Sequence, residues 1–234
     1  MLQLGLVILL SYLLGSIPTS IILSKAVRGV DIRRYGSGNA GGTNVTRVFG
    51  WELGTVVMVF DGIKGVVATQ LIARLMFGPI PFNNRTPFED FTVIQIIAGS
   101  AAVLGHIWTV FASFRGGKGI ATATGMMVGI APIEVGVSAA VFAAVFLLSR
   151  YVSLSSLSAA TAFPVTMFVR ANVFHSDIEG YHTLIFLTIG VVLLLAFTHR
   201  ANIKRLIEGS EKKLTSIRGI RRRQKSDLPT DRQA

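Results

Sequence analysis

Apolar positions in this chain come in long unbroken runs, unlike the alternation of a half-buried strand or the single stripe of a soluble helix. Residues 2 to 23 carry no charge, and as a helix such a run is long enough to cross a hydrocarbon core of about 30 Å. Its start, MLQLGL, lacks the basic residues of a cleaved signal peptide, so a retained helix is expected, bent or restarted near its end by Pro18. Further runs lie at about 54 to 77, 91 to 111, 120 to 133, 135 to 149, 152 to 170 and 183 to 198. Together they predict an all-α, polytopic integral membrane protein of seven transmembrane helices, a single domain over 1–200 followed by a basic tail over 201–234. Pro132 leaves one division open, since residues 120 to 149 make either two short helices joined by a tight turn or one long broken helix.

Composition agrees with a membrane class: 51% of residues are hydrophobic, 15% are charged and the mean hydropathy is +0.59. The absence of cysteine excludes disulfides, thiolate metal sites and a cysteine nucleophile. A net charge of +11 would suit nucleic acid, yet there is no soluble basic domain to bind it, and topology explains the charge better. Five Lys and Arg lie in the loop after the first run, two in the loop at 112–119, one in the turn at 149–152 and eleven from residue 199 onward. Only Arg74, Arg85 and Arg170 fall on the other side. The positive-inside rule then predicts an outside N-terminus and a cytoplasmic C-terminus. The tail cluster Arg221, Arg222, Arg223 and Lys225 has no apolar periodicity and suits anionic lipid.

Four polar motifs interrupt the apolar runs, all toward the side predicted to be cytoplasmic. The first, YGSGNAGGTNVTRVFG over 35–50, interleaves glycines with Ser37, Asn39, Thr43 and Asn44 and closes on Arg47. Such a loop offers hydrogen-bond donors to an anion, and it also reads as a plain turn-rich connection. The second places Asp61 and Lys64 inside an apolar run, either as an i, i+3 ion pair that fixes packing or as functional groups facing a polar cavity. In the third, FASFRGGKGIAT over 111–122, Gly116, Gly117 and Gly119 surround Lys118, which reads equally as an arrangement suited to phosphate and as a glycine-rich turn joining two helices, with Lys118 holding its end in the cytoplasm. It is not a P-loop, because residue 112 is Ala where the first glycine belongs and residue 119 is Gly where the hydroxyl belongs. The fourth, His199-Arg-Ala-Asn202-Ile-Lys-Arg, sets His199 and Asn202 on one helical face, in reach of one oxyanion, while a basic stop-transfer flank explains Arg200, Lys204 and Arg205 but not those two. His106 reads as a packed histidine beside an interfacial Trp108. His175, His182, Asp177 and Glu179 have the chemistry of metal ligands but fall on the outer side, away from every other motif, so no metal site is expected.

GSGNAGGTNVTR, DGIKG, GH followed by FRGGKGIAT, and HRANIKR resemble, in order and spacing, the motif series of the bacterial acyl-phosphate:glycerol-3-phosphate acyltransferases, the PlsY family. The resemblance covers residues 15 to 205, and departs from the family at Gly105-His106-Ile107-Trp108-Thr109, where the usual pattern is G-H-x-F-P. It implies a seven-helix enzyme of the bacterial inner membrane, with its site on the cytoplasmic side. That enzyme moves a fatty acyl group from acyl phosphate to the 1-hydroxyl of glycerol 3-phosphate, giving lysophosphatidate and phosphate for phospholipid synthesis. By the same resemblance Gly116, Gly117 and Gly119 hold the acyl phosphate. Ser37, Arg47, Lys118, His199 and Asn202 surround the glycerol phosphate, with Gly38, Asn39 and Asn44 beside them, and the acyl chain follows an apolar groove open to lipid. No cofactor is implied. The H-x-x-x-x-D dyad of other glycerol phosphate acyltransferases is absent, so the substrate's own phosphate is the expected proton acceptor, with His199 second. A small transporter for an organic phosphate is the competing class, and it would gather its polar groups at the bilayer midplane.

Overall fold

The first apolar run is two helices. In the computed structural model, which describes residues 1–214 apart from 87, 129 and 179, α1 (Leu2–Ser16) stops at Ile17, because proline at 18 pushes the preceding residue out of helical backbone. α2 (Thr19–Arg28) resumes at once and ends on Gly29 in left-handed conformation, with Lys25 and Arg28 at its negative end. The polar motif then forms α3 (Gly42–Phe49), and Gly50 turns the chain directly into α4 (Trp51–Gln70). There follow α5 (Asp90–Ile107), α6 (Ile120–Val128), α7 (Pro132–Ser149), α8 (Val152–Asn172), α9 (Tyr181–Thr198) and α10 (Arg200–Ile207). All regular structure among the described residues is helical, and the tail cluster at 221–225 lies outside them.

Among the described residues, six helical stretches are long and apolar enough to cross a membrane: Leu2–Arg28, Trp51–Leu75, Asp90–Ala112, Pro132–Ser149, Val152–Asn172 and Tyr181–Thr198. The run at 120–133, expected as a full span, forms only the nine residues of α6, about 13 Å of helix against a core of about 30 Å. The chain nevertheless changes ends there. Lys118 O accepts from Thr198 Oγ1 at one end of α9, while Ala131 packs with Leu184 at the other, beside Phe88 and Met167. Pro132 opens α7 at its first turn, where a missing N–H costs nothing, so of the two readings of 120 to 149 the pair of helices is the one that forms.

Small residues, not large apolar ones, set how the helices pack. A Cβ on Gly15 would lie 2.0 Å from Ala102 O and one on Gly105 2.1 Å from Tyr12 O, so α1 and α5 touch backbone to backbone. α4 and α6 do the same through Gly65 and Gly125. In lipid there is no hydrophobic gain in burying one apolar helix against another, and close van der Waals approach supplies the attraction. Buried charge is paired. Lys64 Nζ donates to Asp61 Oδ1 at 2.6 Å and to Ile17 O, the carbonyl freed by the break before Pro18, also at 2.6 Å. Arg170 ties α8 to Glu134 of α7 at 2.5 Å.

Candidate active site

The loop after α5 folds back onto its own helix. Gly116 N–H donates to Ile107 O and Gly117 N–H to His106 O, both at 3.1 Å, so the glycines satisfy carbonyls that α5 leaves unpaired at its C-terminus. A Cβ on Gly116 would lie 2.0 Å from His106 O, and one on Gly117 2.1 Å from His106 Nε2, so only glycine fits. These two residues face a cavity of about 10 Å³, room for one water and not for a phosphate.

Lys118 and Gly119 open instead onto a second cavity of about 150 Å³, walled also by Ser37, Asn39, Asn44, Arg47, His199 and Asn202. Three stretches far apart in sequence therefore meet. Gly38 stands just outside, in the turn closed by its N–H to Tyr35 O. Asn44, 1% exposed, spends its side chain on the loop itself. It accepts from Ser37 N at 2.8 Å and donates to the carbonyls of Ile32, Tyr35 and Asn39 at 2.9–3.2 Å. The loop thus reaches the cavity with a fixed shape. Arg47, in the last turn of α3, donates to Lys212 O at 3.4 Å, and its buried Nε has no partner among the described residues.

His199 caps the junction of α9 and α10. Its Nδ1 lies 2.8 Å from Leu195 O, and because a carbonyl only accepts, Nδ1 carries the proton and Nε2 keeps its lone pair. Burial, and then the neighbouring Lys118 cation, push its pKa down to about 4, so the imidazole is neutral at physiological pH. Lys118 is lowered to about 8, first by burial and then by Arg205 and Arg47, with Glu211 opposing. Lys118 Nζ donates to Asn202 Oδ1, and Asn202 Nδ2 donates to Glu211 Oε1 at 2.6 Å.

Glu211 was not singled out from the sequence, where nothing separates it from Glu208. Its carboxylate accepts from Ser153 at 2.7 Å and from Arg205 at 2.7 Å as well as from Asn202, locking the end of α10 onto α8. Burial raises its pKa, but these bonds outweigh burial and hold it below the usual carboxylate range. His106 is packed, as its place beside Trp108 suggested, yet it also borders both cavities, and its Nδ1 lies 3.7 Å from Asp61 Oδ1.

Beside the polar cavity, and sharing Ile120, Phe142 and Ser156 with it, lies an apolar one of about 200 Å³. One face each of α6, α7, α8 and α9 lines it over eight residues, from Ile120 to Met127, Val135 to Phe142, Ser156 to Phe163 and Thr188 to Leu195. That is about 10 Å of depth at 1.5 Å per residue.

An all-helical membrane protein with a cationic cavity at its helix ends, continuous with an apolar channel between helices, is built to handle a phosphorylated and lipidic compound together. The chain belongs to the glycerol-3-phosphate acyltransferase family, a family of membrane enzymes whose model matches residues 5–209. It is 44% identical over 236 residues to a glycerol-3-phosphate acyltransferase of Chlorobium phaeobacteroides (strain BS1), covering 92% of this chain and 97% of that one. It is also 44% identical over 225 residues to a glycerol-3-phosphate acyltransferase of Chlorobaculum tepidum, covering 89% and 95%. The fold matches crystal structures of PlsY (YgiH), an integral membrane glycerol 3-phosphate acyltransferase, in its glycerol 3-phosphate and lysophosphatidic acid forms. The TM-scores are 0.75 and 0.73 at 35% identity, over 90% of this chain and 94% of those.

Proposed function

We propose that the protein transfers a fatty acyl group from acyl phosphate to the 1-hydroxyl of glycerol 3-phosphate, releasing lysophosphatidate and inorganic phosphate at the cytoplasmic face of the inner membrane. One observation carries this reading: the cavity where Lys118, Arg47, His199 and Asn202 converge runs directly into an apolar channel between four helices. Two phosphate groups need cations and N–H donors, and an acyl chain needs the channel. The polar groups sit at helix ends, His199 after α9, Lys118 before α6 and Asn202 in α10, which suits interfacial transfer chemistry better than passage through the membrane.

In this mechanism the glycerol hydroxyl oxygen attacks the acyl carbonyl carbon, the bond from that carbon to the phosphate oxygen breaks, and phosphate departs. Lys118, Gly119 and the free amides at the start of α6 hold the leaving phosphate, while Gly116 and Gly117 fix the loop that carries them. Arg47, Ser37 and Asn202 hold the acceptor's phosphate. The hydroxyl proton goes to a phosphate oxygen, whose second pKa near 6 makes it a better base than His199 at about 4. His199 then serves as an acceptor at Nε2 that orients the hydroxyl. Positioning suffices because acyl phosphate is already activated.

The test is purified protein with palmitoyl phosphate and glycerol 3-phosphate, with phosphate release followed with and without the acceptor. Acceptor-dependent release without acyl-CoA, acyl carrier protein or added metal is expected. Turnover only with acyl-CoA overturns the donor assignment, and loss of turnover with EDTA overturns the metal independence.

A further inference from the structure

We infer that the buried Asp61–His106 pair is the positioning device of the phosphate site, holding Lys118 from both sides of its own backbone. On the N-terminal side, Gly116 and Gly117 donate to the carbonyls of Ile107 and His106, and Gly117 lies against the Nε2 edge of the His106 ring, where a Cβ would stand 2.1 Å from Nε2. The His106 ring in turn faces Asp61, Nδ1 to Oδ1 at 3.7 Å. On the C-terminal side, Thr122 in the first turn of α6 donates its hydroxyl to Asp61 O at 2.9 Å. Residues 116 and 117 are thus bonded to the main chain at the end of α5 and residue 122 to the main-chain carbonyl of Asp61 in α4, the His106 ring stands beside the Asp61 carboxylate where the two helices meet, and Lys118 lies between these anchors.

Asp61 itself is buried and paired. It is 3% exposed, and Lys64 bridges its carboxylate to the broken end of α1 at Ile17. Thr109 and Tyr12 add bonds from the same corner, Thr109 Oγ1 to Ser16 O and Tyr12 OH to Trp108 O, the latter at 2.6 Å. A carboxylate and an imidazole at this depth are costly unless they serve such a frame. Lys118 has a long flexible stem and would otherwise sample many positions. Sequence order hides this pair, because Asp61 and His106 come from different helices and meet only in the fold.

The inference rests on the acyltransferase reading for its catalytic consequence, but not for phosphate binding. The test therefore has two readouts on Asp61→Asn, His106→Gln and Thr122→Val, each checked for an intact fold by its thermal transition in detergent. The first is inorganic phosphate affinity, measured by 31P NMR titration without any turnover. At least tenfold weakening is expected for Asp61→Asn and His106→Gln, and a smaller loss for Thr122→Val. The second is kcat/KM against pH with palmitoyl phosphate. Lys118 is faced by Arg47 from α3, Asp61 from α4, His106 from α5, His199 from α9, Arg205 from α10, and Glu211. Its alkaline limb, near pH 8 in the wild type, moves to higher pH once the displaced ammonium meets water.

Should Asp61→Asn fail to fold, Gly117→Ala replaces it. The added methyl displaces the loop, and His106→Ala in the same chain relieves the clash, so the double variant is at least as active and binds phosphate at least as well as Gly117→Ala alone. Phosphate affinity within threefold of wild type in His106→Gln, or additive losses in the double variant, overturns the inference. If the wild type binds phosphate as described but transfers no acyl group, the acyltransferase reading falls while the positioning role stands.

Discussion

At the residue scale, the site is a buried ammonium balanced between attraction and desolvation. If Lys118 neutralises a phosphate in both the bound and transition states, Lys118→Ala lowers kcat/KM by about two orders of magnitude or more, since a charge-assisted contact in a dry site contributes on the order of 3 kcal/mol. Arginine restores only part of this, because a flat guanidinium does not take the place of a compact ammonium among close-packed backbone. The lowered pKa of Lys118, about 8, gives the sign of the alkaline limb: the protonated form is the active one, so kcat/KM, once above the acid limb set by the phosphate's second pKa near 6, holds to about pH 8 and falls beyond it. His199 separates the two proton acceptors. With its pKa at about 4, His199→Ala weakens glycerol 3-phosphate binding and leaves the shape of the pH profile unchanged. A collapse of kcat with KM intact, together with loss of the acid limb, would make the imidazole the base.

At the element scale, long apolar runs, glycine-rich motifs and the proline positions where helices break were legible, while what holds each break and which faces turn inward were not. A helix in lipid has apolar residues on every side, so no moment marks which face meets its neighbours. The break at Ile17 shows the difficulty: Pro18 announces a bend, but the partners that satisfy the freed Ile17 carbonyl, Thr19 N–H and the distant Lys64, appear only in the fold. The FRGGKG loop read correctly as a place where glycine is needed. Two of its glycines are needed to lie on His106, a contact that depends on where α5 ends and that no spacing in the loop encodes. Gly125 carries the prediction at this scale. Its Cβ would stand 2.0 Å from Gly62 O, a backbone atom that moves only with α4, so Gly125→Ala costs about 1–3 kcal/mol as overpacking. A lowered thermal transition in detergent checks it, and an unchanged one would mean that α4 and α6 part easily.

At the scale of the whole molecule, the open question is how many times the chain crosses and which way it faces. Between Lys118 and Ala131 the chain passes from the Thr198 end of α9 to its Leu184 end, although α6 itself is short. Counted with its flanks as a crossing, α6 brings the six long helical stretches to seven. Seven crossings put residues 1 and 214 on opposite sides, and the positive-inside rule predicts that the side rich in Lys and Arg, with the loops at 25–52 and 112–119 and the residues after 199, is the cytoplasm. Because the chain has no cysteine, single substitutions report without background. Thr86→Cys, in the exposed loop before α5, is expected to react with an impermeant maleimide on intact cells. Ser113→Cys, beside the glycine loop, and Ser210→Cys, after α10, react only once the cells are opened. Outside labelling of Ser113→Cys would place Lys118 and its cavity away from a cytoplasmic supply of glycerol 3-phosphate. Labelling of Thr86→Cys and Ser210→Cys from the same side would return the count to six.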